Sequence, residues 1–251
     1  MSSPEARYDW TFSYKLSRPV YCKQSVGDTT IKFENDSNNN LIGFKIVVEN
    51  KTDFEASKIN NMKKENLEKI LTILSGMELK AIPAGTEGDP KTPGLRRVSN
   101  ALVVKYDIEG SIDKVDITDS NIENIINKDV NPKLGYLSDA VAHKSHGRYS
   151  EAIKEAFRVI DKDRSVDDYN KYKCIRDILS HSEDQRDQQL YQNTRKYFIC
   201  FFTPIRGNFD FMYCDESNGK FIFDYDSPKT KKTLEQVAKV LIEEVKGILG
   251  L

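Results

Sequence analysis

The chain has 251 residues, a length that accommodates one large domain or two modest ones with a buried core. Its 38 basic and 39 acidic side chains leave a formal net charge of -1, which excludes a global electrostatic attraction to nucleic acid, so any RNA site must be a local basic patch. Four cysteines without a CxxC pair indicate buried free thiols rather than a zinc site, and the lack of an apolar run of about eighteen residues predicts a cytoplasmic protein without a membrane partner.

The first part of the chain is predicted to form strands and one helix. Trp10, Phe12, Tyr14 and Leu16 alternate with polar residues, as in a strand with one buried face. Two further segments, rich in β-branched and aromatic residues, flank a run of turn formers. A helix follows, and Gly76 is suited to end it. The predicted strands lie at 8–22, 29–34 and 41–49, and the helix lies at 54–77.

Residues 80–100 are rich in proline and glycine and predict a long loop. A flexible connection is favoured over a ligand-binding loop, because linkers commonly have this composition. Arg96 and Arg97 are nevertheless candidates for contact with an RNA backbone. A strand at 101–108 is predicted to complete the first domain, an α+β unit of unknown function over residues 1–110.

After residue 110 the pattern changes to helices. Apolar residues at helical spacing predict helices at 118–127, 134–144, 149–161 and 166–181, and residues 182–195 are too polar to assign. Strands are predicted at 197–203, 209–214 and 221–225, and a final helix at 228–251. The predicted fold class is therefore α+β, with a sheet-plus-helix domain followed by a helical bundle that carries a small β insertion at about 197–225.

The most suggestive motif lies near the end of the helix predicted at 166–181. Arg176, Asp177 and His181 combine an arginine, an adjacent carboxylate and a histidine. This Arg-x4-His pattern, with a polar residue after the arginine, resembles the motif of the HEPN family, helical domains many of whose members are metal-independent endoribonucleases. Further segments similar to HEPN sequences lie at 147–153, 157–160 and 223–229. The resemblance covers residues 119–251.

The resemblance implies a HEPN-like domain over residues 111–251 that cleaves RNA as a homodimer, with the two motifs lining one cleft. The expected products are a 2′,3′-cyclic phosphate and a 5′-hydroxyl, and no cofactor is expected. A defence or toxin–antitoxin context would make an antitoxin or a defence-system protein a further partner. The alternative is a non-catalytic HEPN-like module that binds RNA or scaffolds an assembly. A third interpretation is a structural interaction protein in which the motif is incidental.

Each residue type in the motif suits one step of RNA cleavage. Histidine, with an ordinary pKa of about 6.5, transfers protons near neutral pH. Arginine binds two phosphate oxygens and stays charged. We therefore expect His181 to act as acid and base, Arg176 to clamp the phosphate and Asp177 to orient the imidazole. On a straight helix Arg176 and His181 point about 140° apart. Either the helix ends before His181, or the site is composite and lies across a two-fold axis.

Ordinary structural roles are the alternatives for all three residues. His181 could cap the carbonyl groups at a helix end. Arg176 could be the partner in a surface ion pair. Asp177 could pair with Lys173, which lies one turn earlier on the same face.

A second cluster of basic and imidazole side chains lies at the end of the helix predicted at 134–144. It consists of His143, Lys144, His146 and Arg148. A metal site is disfavoured, because no cysteine or carboxylate nearby completes a ligand set. The cluster instead predicts a local basic patch available to RNA phosphates, and Lys173 is a further candidate for the same role.

Overall fold

The chain divides into two compact units, Met1–Leu134 and Gly135–Leu251. The structure is a computed structural model, and it describes residues 6–23, 30–90, 97–98, 114–116, 131–163, 165–166, 169–181, 212–215, 220–223 and 228–251. Among the described residues, the first unit holds a mainly antiparallel sheet and one helix and the second is mostly helical, so the predicted α+β class is confirmed. The predicted domain boundary at residue 110 lies outside the described residues. None of the described helices is long and apolar enough to cross a membrane.

A six-stranded sheet forms the first unit, with its longest strand at the centre. The strand order is β2-β3-β1-β4-β5, every neighbouring pair in this order is antiparallel, and β6 pairs with the end of β1 in parallel. The strands are β1 (Tyr8–Lys23), β2 (Ile31–Asn35), β3 (Asn40–Lys51), β4 (Ala81–Pro90), β5 (Arg97–Val98) and β6 (Lys114–Asp116). The strands predicted at 8–22, 29–34 and 41–49 are confirmed.

The alternation in β1 produces one buried face, as its sequence predicts. Trp10, Phe12, Tyr14 and Leu16 are all buried. Helix α1 (Asp53–Ser75) packs against β3 and β1, and the Asn60 amide donates a hydrogen bond of 2.6 Å to the Tyr14 hydroxyl. Thr52 caps the start of α1 in a capping box, and Gly76 ends it at a φ of 72°. The predicted helix and its glycine stop are thus confirmed.

The loop predicted at 80–100 is wrong for its first half, because Ala81–Pro90 forms β4, which pairs with β1. The register passes from Ser13 opposite Gly85 to Tyr14 opposite Pro83, which leaves Ala84 as an extra residue. Among the described residues β5 pairs only with Glu87 and Gly88. Pro83 therefore lies beside this bulge, a position at which strands tolerate proline.

The opposite face of the sheet carries a charged cluster built over a glycine. Lys15 and Lys45 contact the two carboxylate oxygens of Glu34 at 2.7 and 2.9 Å. Gly43 lies between the strands that carry Lys15 and Glu34, and a Cβ atom there would stand 3.2 Å from the Lys15 Cδ atom. Burial alone would raise the pKa of Glu34, but the hydrogen bonds and charges of the two lysines outweigh it and lower this pKa.

We expect the stability that Glu34 contributes to depend on pH. Because its pKa is lowered on folding, the contribution is complete above the ordinary value of 4.5 and is lost as the pH falls through the lowered folded value. The difference in urea midpoint between the wild type and Glu34→Gln should therefore shrink below pH 4.5. Fluorescence of Trp10, the chain's single tryptophan, reports this unfolding.

Glu65→Gln is the matched control, because Glu65 pairs with Lys69 at an exposed position on α1. Exposed pairs contribute little, so this variant should leave the midpoint nearly unchanged. A Glu34→Gln difference that stays constant from neutral to acidic pH would contradict the assigned ion pairs.

The second unit packs its helices around α3. The helices are α2 (Pro132–Ser145), α3 (Tyr149–Ile160), α4 (Tyr169–His181) and α5 (Pro228–Leu249), and the strands are β7 (Met212–Asp215) and β8 (Lys220–Phe223). Helix α3 contacts both α5 and α4, and β7 pairs with β8 in antiparallel orientation. The helices predicted at 134–144, 149–161, 166–181 and 228–251, and the last two strands, are confirmed. Predicted elements at 101–108, 118–127 and 197–203, and the unassigned segment 182–195, lie outside the described residues.

Two tyrosines connect α5 with α3 and α4 through hydrogen bonds. The Tyr172 hydroxyl on α4 donates a hydrogen bond to the Glu244 carboxylate on α5. Tyr149, at the start of α3, forms a hydrogen bond with Glu235, and its partial burial together with this carboxylate raises the pKa of Tyr149. Helix α5 thus stabilises the positions of both α3 and α4.

Candidate functional site

Helix α4 carries the Arg-x4-His motif along a partly exposed edge. Tyr172, Ile175 and Leu179 are buried and anchor the helix in the second unit. Arg176 and Asp177 lie beside this buried stripe, with 29% and 17% of their side chains exposed. The packing of α4 therefore leaves both charged groups within reach of solvent.

The guanidinium of Arg176 lies over an aromatic ring of the neighbouring helix. Its Cζ atom is 4.9 Å from the centroid of Phe157 on α3, a favourable cation–π distance. Its Nη1 atom is 3.2 Å from the Oδ1 atom of Asp177. Its Nε atom is buried and has no hydrogen-bond acceptor among the described residues. The guanidinium is thus held by two groups while one of its N–H donors lacks a described acceptor.

Asp177 is shared between two cations. Its Oδ1 atom faces Arg176, and its Oδ2 atom accepts a hydrogen bond of 2.8 Å from the Lys173 ammonium. The pairing with Lys173 is the structural alternative that the four-residue spacing offers. The side chain of His181 lies outside the described residues, so the role of Asp177 in orienting the imidazole stays a prediction.

The backbone of α4 is helical through His181. The arrangement in which the helix ends before that residue is therefore wrong. Helical geometry places Arg176 and His181 about 140° apart around the axis. The composite site stays a prediction.

The second predicted cluster surrounds a sharp turn between α2 and α3. Gly147 adopts a φ of 72°, and the Arg148 N–H donates to the His143 carbonyl at 2.9 Å, closing the turn. Lys144 is half-buried, and His146 and Arg148 are exposed. The Nδ1 atom of His143 is buried and has no partner among the described residues.

The predicted RNA-binding residues lie on several elements. Within the described part of the chain, no hydrogen bond or ion pair joins the turn at Gly147 to Arg176 or Asp177. Lys173 lies on α4 beside the motif, whereas Arg97 lies in β5 of the first unit. Arg96 lies outside the described residues. Lys173 is therefore a predicted RNA-binding residue that the structure places beside Arg176 and Asp177.

Phe157 is the residue that the sequence does not connect with the site. Its place in the apolar stripe of α3 predicts a core position, and it is indeed buried. Its ring also supports the guanidinium of Arg176. No sequence pattern indicates this second role, because the contact depends on how α3 and α4 pack.

The charges beside the motif suit an anion. A guanidinium and an ammonium flank one carboxylate, so the group carries a net positive charge. Across the described ranges, no three His, Cys, Asp or Glu side chains form a group that could hold a metal ion.

No protein-family model matches the sequence, and no characterised protein or solved structure gives a significant match.

Proposed function

We propose that the second unit is a HEPN-like endoribonuclease that cleaves RNA without a metal ion, at a composite site in a homodimer. The observation that supports this best is the placement of Arg176. Its guanidinium is partly exposed on a helix that continues to His181. Such an arginine is suited to a phosphodiester, whose oxygens accept hydrogen bonds from a guanidinium fork.

The reaction needs a base, an acid and a cation. His181 takes the proton from a ribose 2′-hydroxyl, and the 2′-oxygen forms a bond to phosphorus as the bond from phosphorus to the 5′-oxygen breaks. The protonated His181 then gives its proton to the leaving 5′-oxygen. Arg176 stabilises the additional negative charge on the phosphorus oxygens. The products are a 2′,3′-cyclic phosphate and a 5′-hydroxyl.

The geometry of helix α4 supports the proposed dimer. Since Arg176 and His181 point in different directions on α4, one copy of the motif does not surround a single phosphate. Two copies related by a two-fold axis would place the arginine of one chain beside the histidine of the other. Lys144, His146 and Arg148 are proposed to contact neighbouring phosphates, and the first unit is proposed to recognise the substrate, a trigger or an antitoxin-like partner.

The test is an incubation of the purified full-length protein with mixed RNA in the presence of a chelator. We expect cleavage that persists in the chelator and leaves fragments with a 2′,3′-cyclic phosphate, detected by their resistance to ligation until the cyclic phosphate is removed. The same RNA with 2′-deoxy substitution should stay intact, because it lacks the nucleophile. Intact unmodified RNA, or cleavage of the 2′-deoxy strand, would contradict the proposal.

A non-catalytic RNA-binding or protein-interaction module is the second candidate. The contacts of Arg176 with Phe157 and Asp177 favour it, since both are contacts within the second unit that suit a structural arginine. Retention of RNA in a gel-shift assay without cleavage would support this module. The Arg176→Ala variant would then lower the midpoint of unfolding without changing an RNA product.

A further inference from the structure

The carboxylate of Asp177 lies between two cations of its own helix. Its two oxygens face different partners, with Lys173 at 2.8 Å and Arg176 at 3.2 Å. Both oxygens of this carboxylate therefore already face a cation. These contacts connect Asp177 directly with Arg176.

A second support holds the guanidinium from the other side. The Phe157 ring is fully buried, and the Arg176 Cζ atom lies 4.9 Å from its centroid. Aromatic support and a carboxylate together restrict a side chain that has many rotamers in solution. Because the Nε atom is buried in this arrangement, only the remaining guanidinium edge is available to an incoming oxygen.

We infer that Phe157 and Asp177 are positioning residues for Arg176, and that they hold its guanidinium ready for a phosphodiester of the RNA substrate. Lys173 supports this arrangement by fixing the carboxylate of Asp177. The inference rests on the proposed function of the same site. It also reassigns Asp177, which acts on the arginine and not on the imidazole of His181.

Asp177→Asn separates the two roles of this carboxylate through the pH dependence of cleavage. If Asp177 positions Arg176, we expect kcat to fall about tenfold at every pH, because a displaced clamp costs rate without changing an ionisation. The midpoints of the pH–rate profile should stay in place. If Asp177 instead stabilised the protonated imidazole, removing its charge would lower the histidine pKa and move a midpoint to lower pH.

The matched control is Glu155→Gln. Glu155 pairs with Arg158 at 2.9 Å, and Arg158 lies over the ring of Tyr136 at 4.0 Å, so the control removes a carboxylate from a similar arrangement away from the motif. Its pH–rate profile should match that of the wild type. A shifted midpoint in Asp177→Asn, or an unchanged rate, would overturn the assignment.

Lys173 is tested by combining substitutions. If Lys173 acts by fixing Asp177, then Lys173→Ala should lower kcat less than Asp177→Asn does, and the double variant should be no slower than Asp177→Asn alone. If the two losses in kcat multiplied in the double variant, they would indicate a separate contact of Lys173 with RNA. That result would contradict the supporting role of Lys173.

A measurement without RNA distinguishes this inference from the proposed function. The Nε–H proton of Arg176, identified by its loss in Arg176→Lys, should resonate upfield through the ring current of Phe157 and exchange slowly with water. In Asp177→Asn this signal should broaden and move toward the position of a free arginine, whereas Glu155→Gln should leave it unchanged. If the wild type were inactive on RNA but showed these shifts, the proposed nuclease function would be contradicted and the positioning contacts would be supported. An Arg176 signal that is identical in Asp177→Asn would overturn the positioning contacts.

Discussion

Arg176→Ala should lower the rate of RNA cleavage about 10²- to 10³-fold, the usual loss when a group that stabilises transition-state charge is removed. His181→Ala should lower it about 10²- to 10⁴-fold, because a proton transfer then depends on water. Both rates are measured with a labelled RNA in chelator, under single-turnover conditions. Thermal unfolding of each variant shows whether it is folded.

Two neighbouring substitutions serve as controls. Arg158→Ala removes an arginine that also contacts an aromatic ring and a carboxylate but lies outside the motif. Ser180→Ala changes an exposed residue next to His181. Both should cleave at the wild-type rate. If Arg158→Ala lost as much activity as Arg176→Ala, the effect would come from general charge and not from a phosphate clamp.

Hybrid dimers test whether the site is composite. A dimer of one Arg176→Ala chain and one His181→Ala chain keeps one arginine and one histidine on different chains. In a composite cleft these residues meet, so the mixture should cut faster than either variant alone. No gain on mixing, or a monomer on a sizing column, would contradict the composite site.

Gly43→Ala should lower the free energy of unfolding of the first unit by about 1–3 kcal/mol, the usual cost of forcing extra atoms into a packed site. A Cβ atom at this position would lie 2.4 Å from the backbone oxygen of Tyr14, so the strands must move apart. It would also press on Lys15 and on the Glu34 carboxylate, at 3.2 and 3.4 Å. Urea unfolding followed by Trp10 fluorescence measures the change.

Gly247→Ala is the matched substitution with the opposite expected sign. Gly247 lies in α5, and a Cβ atom there meets nothing within 4 Å. Alanine favours the helix by up to about 1 kcal/mol, so the second unit should become slightly more stable. Its unfolding is followed by circular dichroism.

Equal midpoints for Gly43→Ala and the wild type would show that the β1–β3 pairing tolerates a side chain.

The local elements of the fold were largely predictable from the sequence. The alternation from Trp10 to Leu16 and the glycine stop at residue 76 each reflect a backbone preference that acts within a few residues. Strand β4 was not predictable in this way. Its prolines and glycines favour a loop locally, and only pairing with β1, which is distant in sequence, makes the segment a strand.

The contacts at the motif also differ in whether the sequence predicts them. The contact of Lys173 with Asp177 follows from their four-residue spacing on one helix. The contact of Arg176 with Phe157 does not, because it depends on the packing of α4 against α3. Sequence reasoning offers Asp177 either the histidine four residues later or Lys173, and the structure shows Asp177 between Lys173 and Arg176.

The pairing of β1 also bears on how the chain folds during synthesis. On one side β1 meets β3, which ends at Lys51, so this pairing is available early. On the other side it meets β4, and its last residues meet β6 at Lys114–Asp116. Until residues 81–90 have left the ribosome, the second edge of β1 has no β4 partner. An open strand edge is a template for unwanted pairing between chains. Synthesis is therefore most exposed to aggregation before residues 81–90 have left the ribosome.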